Sequence, residues 1–259
     1  MNISGLSIFK RYETMAKATE DPSVSISLDQ FEVCEKHGKY QSYKDIGNGR
    51  EVCINPSCPI CRAEARAKEI IGKAGIQKRF LNCSFENYQA SNDQQAFIKS
   101  KIQSFADNFP KVLEVGSSLI LSGSVGTGKT HLSCAVANQL ALSGYTSCLR
   151  TVSELVQSIR DGRSWSSDKT ASQLIDEYTA FDLLIIDEFG VQSGTDNELN
   201  ILFDVVNARY ADQKPTMALT NLSKDEFKQT VGDRIFDRLT HKGVFLKLEW
   251  ESYRSKEIF

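Results

Sequence analysis

The sequence predicts an α/β fold in which a central parallel sheet is flanked by helices and preceded by a small cysteine-rich module. Three observations predict it. Apolar strand-like runs alternate with helix-like runs through the C-terminal two thirds, the pattern of βαβ units and of a sheet covered on both faces. The first of those strands leads into Gly123-Ser124-Val125-Gly126-Thr127-Gly128-Lys129-Thr130, a glycine-rich octapeptide followed at once by a helical pattern. Four of the seven cysteines (Cys34, Cys53, Cys58 and Cys61) are clustered near the N-terminus, while Cys83, Cys134 and Cys148 are scattered.

The bulk composition sets the frame. The chain has 259 residues, 41% hydrophobic and 25% charged, enough for one sizeable domain and a small appendage. A net charge of -2 excludes a chain that holds nucleic acid through its overall charge, so any such contact needs a local patch or several subunits. No signal-peptide pattern opens the sequence and no apolar run is long enough to span a bilayer, so a cytoplasmic protein without membrane contact is expected. In a reducing cytosol, clustered cysteines suggest a metal before they suggest disulfides.

In chain order, residues 1–30 read as a partly helical or flexible N-terminal arm. Residues 31–72 read as a zinc-binding module and linker helix, to which the family resemblance given below adds partner binding. In this module Gly38, Gly47, Gly49, Pro56 and Pro59 mark turns, and little core is expected. From Arg62 to about Gly72, Ala, Glu, Arg and Lys favour a helix leaving the module. Residues 73–259 form the nucleotide-binding domain. Within it, 93–109 has the apolar period of one helix, with Phe97, Ile98, Ile102, Phe105 and Phe109 on a side. Strands are expected at 118–121, 145–151, 181–186, 216–220 and 244–248. Helices are expected at 129–143, 152–160, 173–178, 197–210, 223–230 and 233–240. No internal repeat is visible.

The octapeptide fits the phosphate-binding pattern G-x-x-x-x-G-K-[ST]. Its glycines let the backbone curl so that N–H groups face phosphate oxygens, and the helix that follows adds its positive end. Lys129 is expected to reach the β- and γ-phosphates of ATP, and the Thr130 hydroxyl to ligate Mg²⁺. His131 closes the nucleotide-binding stretch; taken alone it reads, like His241, as an ordinary core or surface residue. Asp187-Glu188 ends the apolar run Leu183-Leu184-Ile185-Ile186, and strand C-termini in such sheets face the ligand crevice. Asp187 would hold Mg²⁺ and Glu188 would orient or deprotonate the attacking water. Asn221, after another apolar strand, can reach the γ-phosphate or serve as a turn residue. Arg234 and Arg238, four apart, share a helix face, and Arg254 is a third arginine that could neutralise charge developing on the phosphate. The alternative for these arginines is a solvated face paired with Asp233 and Asp237.

Cys34-x₂-His37 and Cys58-x₂-Cys61 are two hooks joined by a 20-residue loop, matching a closed tetrahedral site for a structural zinc ion. Cys53 is a spare that could replace one ligand. Arg160, Arg163, Trp165 and Lys169 combine charge and an aromatic ring, a combination that can follow single-stranded DNA; a mobile surface loop is the alternative.

Several stretches resemble one family. They are Gly75-Ile76 with Asn82-Cys83-Ser84-Phe85-Glu86-Asn87-Tyr88, the phosphate loop, and Asp182 through Asp187-Glu188-Phe189-Gly190-Val191-Gln192. Leu219-Thr220-Asn221, Asp233-Arg234-Ile235-Phe236-Asp237-Arg238 and Trp250-Glu251-Ser252-Tyr253-Arg254 complete the set. Over about residues 75–255 the chain is similar to DnaC-type helicase loaders of the AAA+ class. The resemblance implies an AAA+ sheet, ATP hydrolysis and assembly into an open spiral. It also implies a partner, the replicative hexameric helicase, to be placed on single-stranded DNA. Asn221 would be the sensor-1 residue, Arg238 the arginine finger acting on a neighbouring subunit, Arg254 the sensor-2 arginine in cis, and Arg234 the less favoured finger. Residues 75–88 would pack near the adenine. The chain departs from the family's best-known member in its zinc-like N-terminal module, and a separate helical lid is absent or minimal. Two other readings are an IstB-like transposition helper acting on duplex DNA, and an ATP-switched adaptor that hydrolyses little; the Glu188 carboxylate speaks against the adaptor.

Overall fold

The computed structural model describes residues 29–47, 50–163, 168–190 and 195–253. The arm at 1–28 lies outside them, as do Trp165 and Arg254. The chain divides into two compact units between Cys61 and Arg62. Among the described residues no helix is long and apolar enough to cross a membrane.

The first unit is an antiparallel meander of β1 (Gln30–Cys34), β2 (Gly38–Asp45) and β3 (Glu51–Cys53). The composition of this stretch marked turns and little core, and did not place strands. These strands are short and polar, and their period is too weak to announce a buried face. The β1–β2 turn is tight because Cys34 pairs with Gly38 across it, and Gly38 takes a φ of 78° that a side chain would strain. Helix α1 (Pro59–Lys73) begins with a proline whose missing N–H costs nothing in a first turn.

The second unit is built on a five-stranded sheet in the order β5-β6-β7-β4-β8, all neighbours parallel. The strands are β4 (Leu119–Gly123), β5 (Ser147–Thr151), β6 (Leu183–Phe189), β7 (Thr216–Thr220) and β8 (Val244–Leu248). Alternate residues point to opposite faces. Leu119, Leu121, Leu183, Ile185, Met217 and Leu219 enter one apolar cluster, and Ile120, Leu184, Ile186 and Ala218 enter the other. The first face is covered by the segment from Ala74 to Tyr88, by α2 (Asp93–Asp107), and by α4 (Lys129–Leu142), which is buried almost all round. The second face is covered by α5 (Val152–Asp161), α6 (Ala171–Ala180), α7 (Asp196–Ala211), α8 (Lys224–Val231) and α9 (Asp233–Thr240).

The helix expected over 93–109 is α2, which ends at Asp107; after a break at Asn108 a second helix follows, α3 (Phe109–Val115). Pro110 lacks the N–H that would continue the ladder, and the Asn108 side chain turns back to the Ser104 carbonyl at 2.8 Å. Elsewhere the helix starts have local causes. Thr151 with Glu154, Thr170 with Gln173, and Ser223 with Glu226 each form a reciprocal cap of side chain and backbone.

Candidate functional site

The metal-ligating hooks converge. Sγ of Cys34, Cys58 and Cys61 and Nδ1 of His37 all lie within 4.8 Å of one another. Cys34 Sγ and Cys61 Sγ are 3.6 Å apart, and His37 Nδ1 lies 3.7, 3.6 and 3.3 Å from Cys34, Cys58 and Cys61. A tetrahedral ion with Zn–S bonds of about 2.3 Å has ligand–ligand edges of about 3.8 Å, so the four atoms fit zinc. The hairpin turn supplies Cys34 and His37, while Cys58 precedes α1 and Cys61 sits in its first turn. Backbone N–H groups of Lys36 and His37 favour the Cys34 thiolate and lower its pKa to about 6. The Cys61 thiol beside it is raised to about 11, first by its hydrogen bond to Cys34 and then by burial. Cys53 is exposed on β3 and is not one of the converging ligands.

The phosphate loop joins β4 to α4. Gly126 and Gly128 have φ values of 82° and 91°. A Cβ at Gly128 would meet the Tyr88 ring at 2.6 Å, and one at Gly126 would strike Ser252. The loop is therefore a cradle that only glycine can line. Lys129 is buried, and its Nζ donates to the carbonyls of Gly123 and Ser124 at 2.5 and 2.9 Å. Thr130 Oγ1 donates to Asp187 Oδ2 at 2.9 Å, so the hydroxyl and carboxylate expected at a magnesium ion already face each other from α4 and β6. The donor set, one hydroxyl and one carboxylate oxygen, fits Mg²⁺ completed by phosphate and water.

Glu188 is exposed and has a φ of 61°, in the left-handed region that a glutamate rarely adopts. The β6–β7 register shifts between Ile186 and Phe189, and this bulge turns Glu188 out of the strand. Its N–H donates to Asp187 Oδ1 at 2.7 Å. On the next strand Ser122 pairs with Thr220, which puts exposed Asn221 at the same sheet edge as Gly123 and Asp187. Ser122 Oγ donates to the Leu222 carbonyl at 2.5 Å, and Thr220 Oγ1 to the Phe189 carbonyl at 2.6 Å. These two buried hydroxyls tie the three strand ends together.

The loop is also roofed, a feature the motifs did not announce. Trp250 Nε1 and the Tyr88 hydroxyl both donate to the Thr127 carbonyl, at 3.0 and 3.4 Å, and Tyr253 N donates to the Gly126 carbonyl at 2.9 Å. Burial pushes the Tyr88 hydroxyl up to about 12, so it stays a donor. His131 packs edge-on to Tyr88, and its Nε2 lies 3.2 Å from the Ser84 carbonyl.

Arg234 and Arg238 touch none of these residues among the described ones; their side chains meet Phe203, Asn207 and Tyr210 instead. The chain just beyond α9 joins the opposite end of β4, with Val244 N bonded to the Ser118 carbonyl and Ser117 Oγ to the Lys242 carbonyl. The acidic partners considered for them are not used either: Asp233 pairs with Lys228 at 3.2 Å, and neither arginine has a carboxylate partner among the described residues. The cations considered for single-stranded DNA are engaged: Arg160 with Glu198, Lys169 with Glu177, and Arg163 with Asn197.

A glycine cradle between β4 and α4, an acid pair ending β6 and a polar end to β7 on one edge of a parallel sheet define an AAA+ P-loop nucleotide-binding domain. Residues 62–258 match the family of IstB-like ATP binding proteins. The replicative helicase loader DnaC of Buchnera aphidicola subsp. Schizaphis graminum is 33% identical over 247 residues, which is 95% of this chain and 94% of that protein. The crystal structure of the DnaC helicase loader matches with a TM-score of 0.61 at 21% identity, over 67% of this chain and all of that one. AMPPCP-bound DnaA from Aquifex aeolicus matches at 0.56 and 23%, over 66% of this chain and 52% of that one. The chain belongs to the IstB-like ATP-binding family, among its DnaC-type replicative helicase loaders.

Proposed function

We propose that the chain is a cytoplasmic, ATP-hydrolysing loader that binds the replicative hexameric helicase and places it on single-stranded DNA. The observation that carries this is the relationship to a DnaC loader along nearly the whole chain, joined to a phosphate loop whose Thr130 already meets Asp187.

In this reading Gly123 through Thr130 wrap the phosphates, with His131 beside them, and Lys129 swings from the loop carbonyls to the β- and γ-phosphates. Thr130 and Asp187 hold Mg²⁺, which supplies charge neutralisation on the phosphates. Glu188 orients or deprotonates the attacking water, and Asn221 holds it against the γ-phosphate. Arg238 acts on ATP bound by an adjacent subunit in an ATP-dependent spiral, and Arg254 acts on its own. The trans assignment is supported by the placement of α9, whose exit meets the far end of β4. Cys34, His37, Cys58 and Cys61 hold a structural zinc ion. Residues 31–72 grip the partner, and 73–259 are the motor.

The test mixes the full chain with the replicative helicase of its host or phage, ATP and Mg²⁺, and follows co-elution and helicase transfer to single-stranded DNA, with Lys129→Ala beside it. A complex whose transfer depends on Lys129 is the expected result. Intact hydrolysis with no complex, stimulated by duplex DNA, would replace the loader with a transposition helper of the IstB kind. Full loading by Glu188→Gln would instead favour the switched adaptor.

A further inference from the structure

On α7, Phe203, Asn207 and Tyr210 stand at i, i+4 and i+7, one face of the helix. Opposite them on α9 stand Arg234 and Arg238. The Arg234 guanidinium lies 3.7 Å from the centre of the Phe203 ring, and that of Arg238 lies 4.8 Å from it and 5.7 Å from Tyr210. Arg238 Nε donates to Asn207 Oδ1 at 2.8 Å, and its Nη1 to the Arg234 carbonyl at 2.9 Å. The Arg234 guanidinium itself makes no hydrogen bond among the described residues. Two like charges thus share one aromatic face with no anion between them.

That arrangement has a physical consequence. A carboxylate would fix an arginine but would cancel its charge and occupy the N–H fork. An aromatic face attracts the guanidinium through its quadrupole and leaves the in-plane N–H donors available. The amide of Asn207 is neutral and takes only Nε. The pair is therefore fixed in direction, still charged, and able to make bidentate bonds to an anion, the preorganisation that phosphate charge development requires.

We propose that Phe203 and Asn207 are positioning residues that aim the Arg234–Arg238 pair at the phosphates of a nucleotide held by an adjacent copy of the chain. This rests on the reading of Arg238 as acting on a neighbouring subunit.

The experiment uses full-length Phe203→Leu, Asn207→Ala, Phe203→Tyr, Arg238→Ala and Lys129→Ala. Each is measured for kcat and KM of ATP turnover and for melting temperature, and Phe203→Leu is also mixed with Lys129→Ala. Phe203→Leu and Asn207→Ala are expected to lose roughly ten- to a hundred-fold in kcat at little-changed KM, the cost of a misplaced catalytic group. Phe203→Tyr, which keeps the ring face, restores kcat. Mixing Phe203→Leu with Lys129→Ala restores turnover, because the second chain lends intact arginines to the first chain's intact phosphate loop. If Phe203→Leu keeps wild-type turnover while Arg238→Ala loses it, the positioning role is wrong and the arginine reading stands. If Arg238→Ala also keeps it, the arginine reading fails first and takes this inference with it. Turnover lost in Phe203→Leu that mixing does not restore places the ring's need within its own subunit and overturns the proposal.

Discussion

Arg209 is fully buried on α7, and its direct hydrogen-bond partners are carbonyl and hydroxyl oxygens. Its guanidinium donates to the carbonyls of Tyr178, Thr179, Phe181 and Pro215 at 2.6, 3.3, 2.9 and 2.5 Å, and to Thr216 Oγ1 at 3.1 Å. Burial pushes its pKa down to about 9, which still leaves it charged at neutral pH. It closes the C-terminal carbonyls of α6 and the entry to β7, so Arg209→Leu strands several buried acceptors. The expected loss is about 3–5 kcal/mol, read as a lowered urea midpoint; an unchanged midpoint would show that water replaces the side chain there. Glu188 is the converse case, an exposed residue held in a left-handed conformation. Glu188→Gly should relieve the backbone by about 1 kcal/mol while abolishing hydrolysis. Glu188→Gln should bind ATP normally and hydrolyse it at least ~100-fold more slowly. A Gly variant no more stable than wild type would mean that the bulge, not the side chain, sets the conformation. Arg209 could have been suspected in the sequence, since it continues the apolar stripe Leu202, Val205, Val206 and a cation there must be paired or capped. Phe203 and Asn207 could not, because their meaning depends on which helix packs opposite.

At the scale of elements, the strands at 216–220 and 244–248 were legible to the residue, because each is a short apolar run bounded by turn or polar residues. The strand order was not, since a parallel crossover leaves no local mark of which neighbour it reaches. The N-terminal meander escaped for another reason: its strands bury almost no apolar side chain, so no period marks a face. A zinc ion on Cys34, His37, Cys58 and Cys61, as proposed, would make its stability metal-linked. Stripping the full chain with a strong chelator should release one zinc per chain and raise hydrogen exchange in β1–β3, while the cooperative melt of the ATP-binding unit persists. Exchange unchanged after zinc loss would refute a structural metal. A second element-scale device is Asp182, at the entry to β6. Burial opposes its charge, but Thr146 N–H, the Thr146 hydroxyl and Lys214 outweigh it and lower the pKa. A depressed carboxylate stabilises the fold above its unfolded value of about 3.9, and the contribution fades as pH falls through the folded value. Asp182→Asn should therefore be less stable at neutral pH and lose less on acidification below about pH 4. A parallel acid limb in both proteins would rule the linkage out.

At the scale of the whole molecule, the division of labour across the sheet decides how the protein must work. The phosphate loop, Asp187, Glu188 and Asn221 sit at the C-terminal edge of the sheet, where every strand ends on the same side. Arg238 sits on a helix whose chain continues into the other end of β4. In the proposed reading its charge acts on the nucleotide of an adjacent copy. If Arg238 is needed for turnover, hydrolysis per chain must then depend on how many chains meet. At concentrations below self-association, specific ATPase activity should rise with protein concentration and then level off, while ATP affinity of the isolated chain stays constant. Adding excess Lys129→Ala chains at low wild-type concentration should raise turnover, because each lends an arginine without hydrolysing. Specific activity that is flat with dilution and indifferent to those chains would mean that the site is complete in one copy, and that Arg234 and Arg238 serve a different anion.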